Sequence, residues 1–354
     1  MKKTNYFVKI ILTTKQSHDI ILVSNKERKC KMSYLKEHYN EIFKKYSNEE
    51  LIKDISSYRL GGGNLYKVLN HFFEEDMFKC CGKKTKISPY DCLQDDELMI
   101  KILDYIKSKP KFFTGTNEVA NVKSCFRNSM SWVRKVANFP AKTARDIYFR
   151  YHDVNGERLN ILDTSCGFGA RMSAVVLSGT QHNYYGFDPN PELYKHLKEY
   201  EHFLRKNDVI PEDLIVKIWC EGSEMFKNEI EGMIDVMFTS PPYFNLEKYS
   251  NDNFSSTRYN DNYSKWVDYF VRPTVENIYH YLKIGGYAMI NIKNLSKNNP
   301  CFDDFKDAFE NINGFEFVEV FDMAIKKKQY GMNYNNTKGV IDNKEPVMVF
   351  RKIK

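Results

Sequence analysis

The sequence predicts an α/β fold: a mostly parallel, seven-stranded sheet with helices on both faces, behind a mainly helical N-terminal region. Three observations predict it. From Leu159 onward, short apolar runs alternate with amphipathic stretches, as strands joined by crossover helices do. The last two of those runs are expected to pair antiparallel. The charge also divides, with 29 Lys and Arg against 17 Asp and Glu in residues 1–150, and 24 against 29 in the rest.

Taken in order, residues 5–24 read as two short strands around the polar turn TTKQSHD, and a Lys-rich helical region follows to about residue 57. RLGGGN, 59–64, is a loop; no strand leads into it and no Lys-Ser/Thr follows, so it reads as a connection rather than a phosphate cradle. Asp95, Asp96 and Glu97 open a helix that carries Leu98, Ile102, Leu103 and Ile106 at helical spacing. A second helix covers 118–138 and puts Lys123, Arg127 and Arg134 on one face. The texture changes at Phe139 and Pro140. We therefore divide the chain into a basic region, 1–138, suited to nucleic-acid recognition, and a sheet domain, 139–354. AKTARDIYFRYH is a proline-led helix, and the expected strands are LNILDT, NYYGFD, IVKIWC, IDVMFTS, YAMINIK, FEFVEVFDM and PVMVFR.

Composition narrows the classes. With 42% hydrophobic and 28% charged residues and a net charge of +7, the chain has the balance of a soluble globular protein. Its eight cysteines show no paired CxxC spacing, so neither a zinc site nor any other metal is expected, and reduced thiols fit a cytoplasmic protein. No run of about 18 apolar residues exists to span a bilayer.

Three features lie at the ends of successive strands, where open α/β sheets bind ligands. LDTSCGFGARMS joins an acid, Asp163, to a glycine turn in which Gly167 and Gly169 let the backbone approach a ligand. GFDPN places Asp188 where it can accept both hydroxyls of a ribose. WCEGSEMF places Glu221 and Glu224 just past the third strand. The next strand ends in FTSPPYF, where Pro241 and Pro242 stiffen a corner between Ser240 and Tyr243. A nicotinamide dehydrogenase is disfavoured, because GxGxxG is not met: CGFGAR has Arg171 two places after its second glycine and no third glycine follows.

DTSCGFG, FDPN and SPPY, in that order, resemble the S-adenosylmethionine-dependent DNA amino-methyltransferases, the cytosine-N4 and adenine-N6 family. The resemblance extends from about Phe139 to Arg351 and implies a class I methyltransferase, Rossmann-like sheet with S-adenosylmethionine as cofactor. It implies cofactor contacts from Phe139, Asp163, Ser165, Cys166, Gly167, Gly169, Asp188, Glu221 and Glu224, and catalysis by Ser240, Pro241, Pro242 and Tyr243. An exocyclic amine is a poor nucleophile, since its lone pair is delocalised into the ring; the Ser240 hydroxyl and Pro241 carbonyl can accept its protons, and Tyr243 can stack on a flipped base. Serine at the first motif position resembles the cytosine-N4 enzymes, while adenine N6 of DNA and an RNA base stay open. Pro300-Cys301 lies too far along the chain to be the nucleophile of a cytosine-C5 enzyme. Only a short tail follows the catalytic strands, so target recognition falls to the basic region, with Lys123, Arg127, Arg134, Lys135 and Arg145 as phosphate contacts. The loops NLEKYSNDNFSSTRYNDNYSKW and KKKQYGMNYNNTKG are further candidates, and the family implies a place in restriction and modification. A catalytically silent nucleic-acid-binding protein on the same fold, and a small-molecule or protein methyltransferase, are the competing readings.

Overall fold

Strand formation in the second half follows from residues that are buried on both sides, and a computed structural model shows where each run goes. It describes residues 43–82, 87–98, 136–244, 247–249, 262–323 and 345–354. The chain divides into two units: residues 1–57, 65–138 and 246–251 in one, and 58–64, 139–245 and 252–354 in the other.

In the first unit, α1 (Asn48–Arg59, its last two residues assigned to the second unit), α2 (Tyr66–Lys79) and α3 (Pro89–Gln94) are helical, and β1 (Cys81–Gly82) pairs antiparallel with β6 (Glu247–Lys248). Helix α3 was not expected as a separate element. Ser88 and Asp91 close a capping box at its start, and a fresh turn begins at Asp95, whose Oδ1 accepts the Leu98 amide at 3.0 Å. The expected strands in 5–24 and the helix at 118–138 lie outside the described residues.

The second unit holds the sheet. Its strands are β2 (Asn160–Asp163), β3 (Asn183–Phe187), β4 (Val216–Trp219), β5 (Ile234–Thr239), β7 (Leu282–Asn291), β8 (Phe315–Asp322) and β9 (Pro346–Lys352). Their order is β4-β3-β2-β5-β7-β9-β8; the first five run parallel, and β9 lies antiparallel between β7 and β8. This is the class I methyltransferase arrangement. The order reverses between β2 and β5, which opens a crevice at their carboxyl ends.

Alternation along each strand sends side chains to two helical layers. Leu162, Tyr185, Phe187 and Met237 face a core shared with α7 (Tyr263–Trp266), α8 (Arg272–Tyr281) and α9 (Cys301–Glu310). Phe238 instead meets Tyr148 of α4 (Ala141–Tyr148), on the face covered by α5 (Ala170–Val176). Helix α6 (Pro191–Lys206) joins that layer through a 2.9 Å bond between Ser173 and Tyr200. Between α7 and α8 the helix widens to a π turn over Val267–Val271. Pro273 explains the widening, because it has no amide to donate four residues back and its ring crowds the Tyr269 carbonyl.

One expected element differs. The sequence places the fifth strand at YAMINIK, but β7 begins at Leu282, directly after α8, and contains both preceding glycines. Pairing passes from Ile234↔Leu282 to Val236↔Tyr287, so three extra residues bulge on β7, with Gly285 at φ +88°. No described helix is long and apolar enough to cross a membrane.

Candidate active site

The site forms where β2, β3 and β5 end. Past β2, the loop Thr164–Gly169 turns back with Gly167 at φ +58° and Gly169 at φ +72°, a region that disfavours any side chain. The loop is tied to β3, since the Cys166 amide donates to the Phe187 carbonyl at 2.9 Å. A Cβ on Gly167 would meet nothing closer than 3.8 Å, so the space beyond that glycine is open to a ligand.

Asp188 is 8% exposed, and its Oδ2 accepts the Gly167 amide while Oδ1 accepts the Asn190 amide, each at 3.1 Å. Each carboxylate oxygen has a second acceptor position, so two hydroxyl donors can still be taken. Burial pushes its pKa up to about 7, against the two amide hydrogen bonds, which favour the charged form. These residues fit a ribose diol.

Asp163 is differently placed. Fully buried, its Oδ1 accepts the Ser165 amide and the Thr239 hydroxyl, both at 3.1 Å, and its Oδ2 accepts Arg171 Nε at 2.8 Å and the Tyr184 hydroxyl at 3.0 Å. Four donors fill the roughly four lone-pair positions of a carboxylate. The cofactor contact expected of Asp163 has no acceptor left to make it. Arg171 is also buried, and its guanidinium donates to the Ser165 carbonyl and lies 5.7 Å from the centre of the Phe139 ring. Burial works against its charge, but the adjacent Asp163 carboxylate holds it protonated beyond the ordinary arginine range. Tyr184 is pushed well up by burial and then by Asp163.

The remaining candidates sort by what they touch. Ser165 offers its amide to Asp163 and its hydroxyl to the Thr164 carbonyl. Cys166 packs toward Gly186, where an added Cβ would lie 2.3 Å from its Sγ, and burial raises the thiol well above its usual range. Its side chain is a packing group between the loop and β3. Glu221 is paired with Lys227 at 2.6 Å, and the Glu224 carboxylate folds back over Gly222, 2.2 Å from where a Cβ would sit. Phe139 is half-buried, edge-on to Phe238 at 5.6 Å, and so covers the end of β5.

The motif follows directly on β5. Ser240 is half-buried, and among the described residues its Oγ makes no hydrogen bond. Pro241 is buried and Pro242 half-buried. The Phe244 amide donates to the Pro242 carbonyl at 3.0 Å, so Tyr243 stands at the tip of a three-residue turn. Phe244 sits at φ +44°, strained for a bulky residue, with its ring buried edge-on against Tyr263 at 5.2 Å and near Trp266 at 5.8 Å. Tyr263 is fixed in turn by a 2.5 Å bond to Asp304. Cys301 is buried at the start of α9, and burial raises its pKa, as befits a core thiol.

Arg145 lines a cavity of about 790 Å³ with Arg59, Val154, Ser178, Gly179 and Gln181. These residues precede β2 and β3, so the cavity lies at the amino ends of the strands, opposite Ser240. Arg145 therefore sits away from the strand ends that carry Ser240 and Asp188. Lys123, Arg127, Arg134 and Lys135 lie outside the described residues, as do most of the loop after Phe244 and all of 326–339. Thr239, Arg171 and Tyr184 were not singled out as site residues by the sequence. One signal was available: an arginine inside the apolar run GFGARMSAVVL needs a buried anion.

Residues 234–354 match a model of N6 and N4 methyltransferases described as DNA methylase. No curated protein matches the chain. Similar solved structures include an S-adenosylmethionine-dependent O-methyltransferase from Thermotoga maritima, at 14% identity and a TM-score of 0.39, covering 64% of this chain and 71% of that one. A tRNA methyltransferase from Aquifex aeolicus is 14% identical, with a TM-score of 0.36 and coverage of 62% and 72%. An rRNA methylase from Streptococcus thermophilus is 12% identical, with a TM-score of 0.36 and coverage of 62% and 99%. The sheet unit thus has the strand order of the class I methyltransferases, and its residues 234–354 are similar to the N6 and N4 DNA methylases.

Proposed function

We propose that the protein methylates an exocyclic amine of a DNA base, and that the base is cytosine, at N4. The observation that carries this reading is the Ser240–Tyr243 corner, which leaves β5 beside the glycine loop and Asp188 with a serine oxygen that no described residue occupies and a tyrosine at its tip. Bound S-adenosylmethionine supplies a methyl group activated on a sulfonium. Asp188, oriented by the Gly167 amide, accepts the hydroxyls of the nucleoside end, and Phe139 shields the strand end from water. Ser240 Oγ and the Pro241 carbonyl accept hydrogen bonds from the two amine N–H groups, which turns the nitrogen lone pair out of the ring's conjugation, and the proton that the methylated nitrogen then sheds passes to solvent. Two prolines hold those acceptors before the base arrives, so little reorganisation accompanies the reaction. Tyr243 offers a face on which a base drawn out of the duplex stacks. Transfer is direct, without a covalent bond to the protein.

Target recognition is assigned to the basic N-terminal region through Lys123, Arg127, Arg134 and Lys135. Arg145 is left out of that set because of its place at the amino ends of the strands. Ser240→Ala and Tyr243→Ala test the reading. Each is expected to lower turnover about a hundredfold while cofactor affinity stays within about twofold. Parallel losses of turnover and cofactor affinity would contradict it, and so would unchanged turnover.

A further inference from the structure

We propose that Thr239 is a positioning residue for methyl transfer, setting the Ser240–Tyr243 corner against the cofactor loop through its hydrogen bond to Asp163. This rests on the methyltransferase reading above. Strands β2 and β5 are paired only at Ile161↔Val236 and Leu162↔Met237. Beyond those pairs no backbone register joins them, and the crevice of the reversed strand order opens. The Thr239 hydroxyl crosses that gap to Asp163 Oδ1 at 3.1 Å, and both residues are fully buried.

Each end of the bridge carries one part of the site. On the β5 side, Ser240 is the next residue, so a shift of Thr239 passes straight into the hydroxyl that accepts the amine's hydrogen bond. On the β2 side, Asp163 holds the Ser165 amide, while Arg171 grips both Asp163 and the Ser165 carbonyl and so closes the loop on itself. The Asp163 carboxylate is thereby taken up by the protein's own donors, and its charge is balanced inside the fold by Arg171. Asp163 thus joins the two halves of the site, and Asp188 is left to meet the nucleoside. The device matters because a displacement of about 1 Å between reacting groups can cost roughly a hundredfold in rate.

Thr239→Val keeps the shape and removes the hydroxyl; Thr239→Ser keeps the hydroxyl. Two readouts are needed: steady-state kinetics with S-adenosylhomocysteine affinity, and amide hydrogen exchange over 163–169 and 239–244. In Thr239→Val, kcat is expected to fall at least about tenfold with cofactor affinity and the KM for DNA within about threefold, and exchange should quicken in both segments together. Thr239→Ser is expected to stay within about twofold of the parent in every measure, which separates a broken hydrogen bond from a disturbed core. Wild-type kcat in Thr239→Val overturns the proposal. So does a loss of cofactor affinity that matches the loss of kcat, or a failure of Thr239→Ser to rescue. If the parent protein methylates no nucleic acid, the functional reading fails, and exchange still decides the bridge. Joint loosening supports it, and loosening confined to 239–244 refutes it.

Discussion

Raising the pH from 6 to 8 is expected to tighten cofactor binding about tenfold through Asp188. Burial raises its carboxyl to about 7, the largest influence on it, while the Gly167 and Asn190 amides pull the other way. Only the ionised form accepts from two ribose hydroxyls, so the protonated fraction must lose its proton to bind. With an apparent Kd proportional to 1 + 10^(pKa − pH), the penalty is about elevenfold at pH 6 and about 1.1-fold at pH 8. Calorimetry with S-adenosylhomocysteine at three pH values, in two buffers of different ionisation enthalpy, reads both the affinity and the proton. About one proton should be released per ligand at pH 6 and close to none at pH 8. Asp188→Asn should bind more weakly and without this slope. A flat profile in the parent, or the same slope in Asp188→Asn, would refute the assignment. The same shift has a consequence for the unliganded protein. A folded pKa above the unfolded 3.8 means that this group's contribution is fully present below the unfolded pKa and is lost as pH rises through 7.

Three other perturbations follow from the same geometry. Asp163→Asn leaves the buried Arg171 guanidinium without its anion and is expected to lower unfolding stability by about 3–5 kcal/mol in urea titration; unchanged stability would mean that the pair is not structural. Gly186→Ala drives a methyl against Cys166 Sγ and the Tyr184 ring and should cost about 1–3 kcal/mol in the same assay, part of it recovered by adding Cys166→Ala; a neutral result would show that the loop can shift. Replacing Arg127 and Arg134 together by Gln should reduce the salt slope of DNA binding by about 0.9 for each phosphate no longer neutralised, and an unchanged slope would remove these two residues from the phosphate contacts.

The parallel strands were legible because a strand buried on both faces reads as a short apolar run, as LNILDT and IDVMFTS do. The strand-end acids and the SPPY corner were legible as residue types out of place in such runs. What Asp163 does was not. Its donors Arg171, Tyr184 and Thr239 come from 8, 21 and 76 residues away, and only the folded sheet brings them together. The start of β7 was misread for a local reason: two adjacent glycines signal a turn, while here they form a bulge opposite Asp235 that depends on the neighbouring strand. Similarly, β1 and β6 are two residues each and pair across more than 160 positions, with no periodicity to reveal them.

The most direct measurement is to incubate the purified protein with unmodified DNA and methyl-labelled S-adenosylmethionine, digest the product and identify the labelled nucleoside by mass spectrometry. The account predicts N4-methylcytosine, absent in Tyr243→Ala. N6-methyladenine would keep the exocyclic-amine chemistry and contradict the choice of base. Label found only when RNA replaces DNA would contradict the substrate, and cofactor binding with no label in either nucleic acid would contradict the central claim.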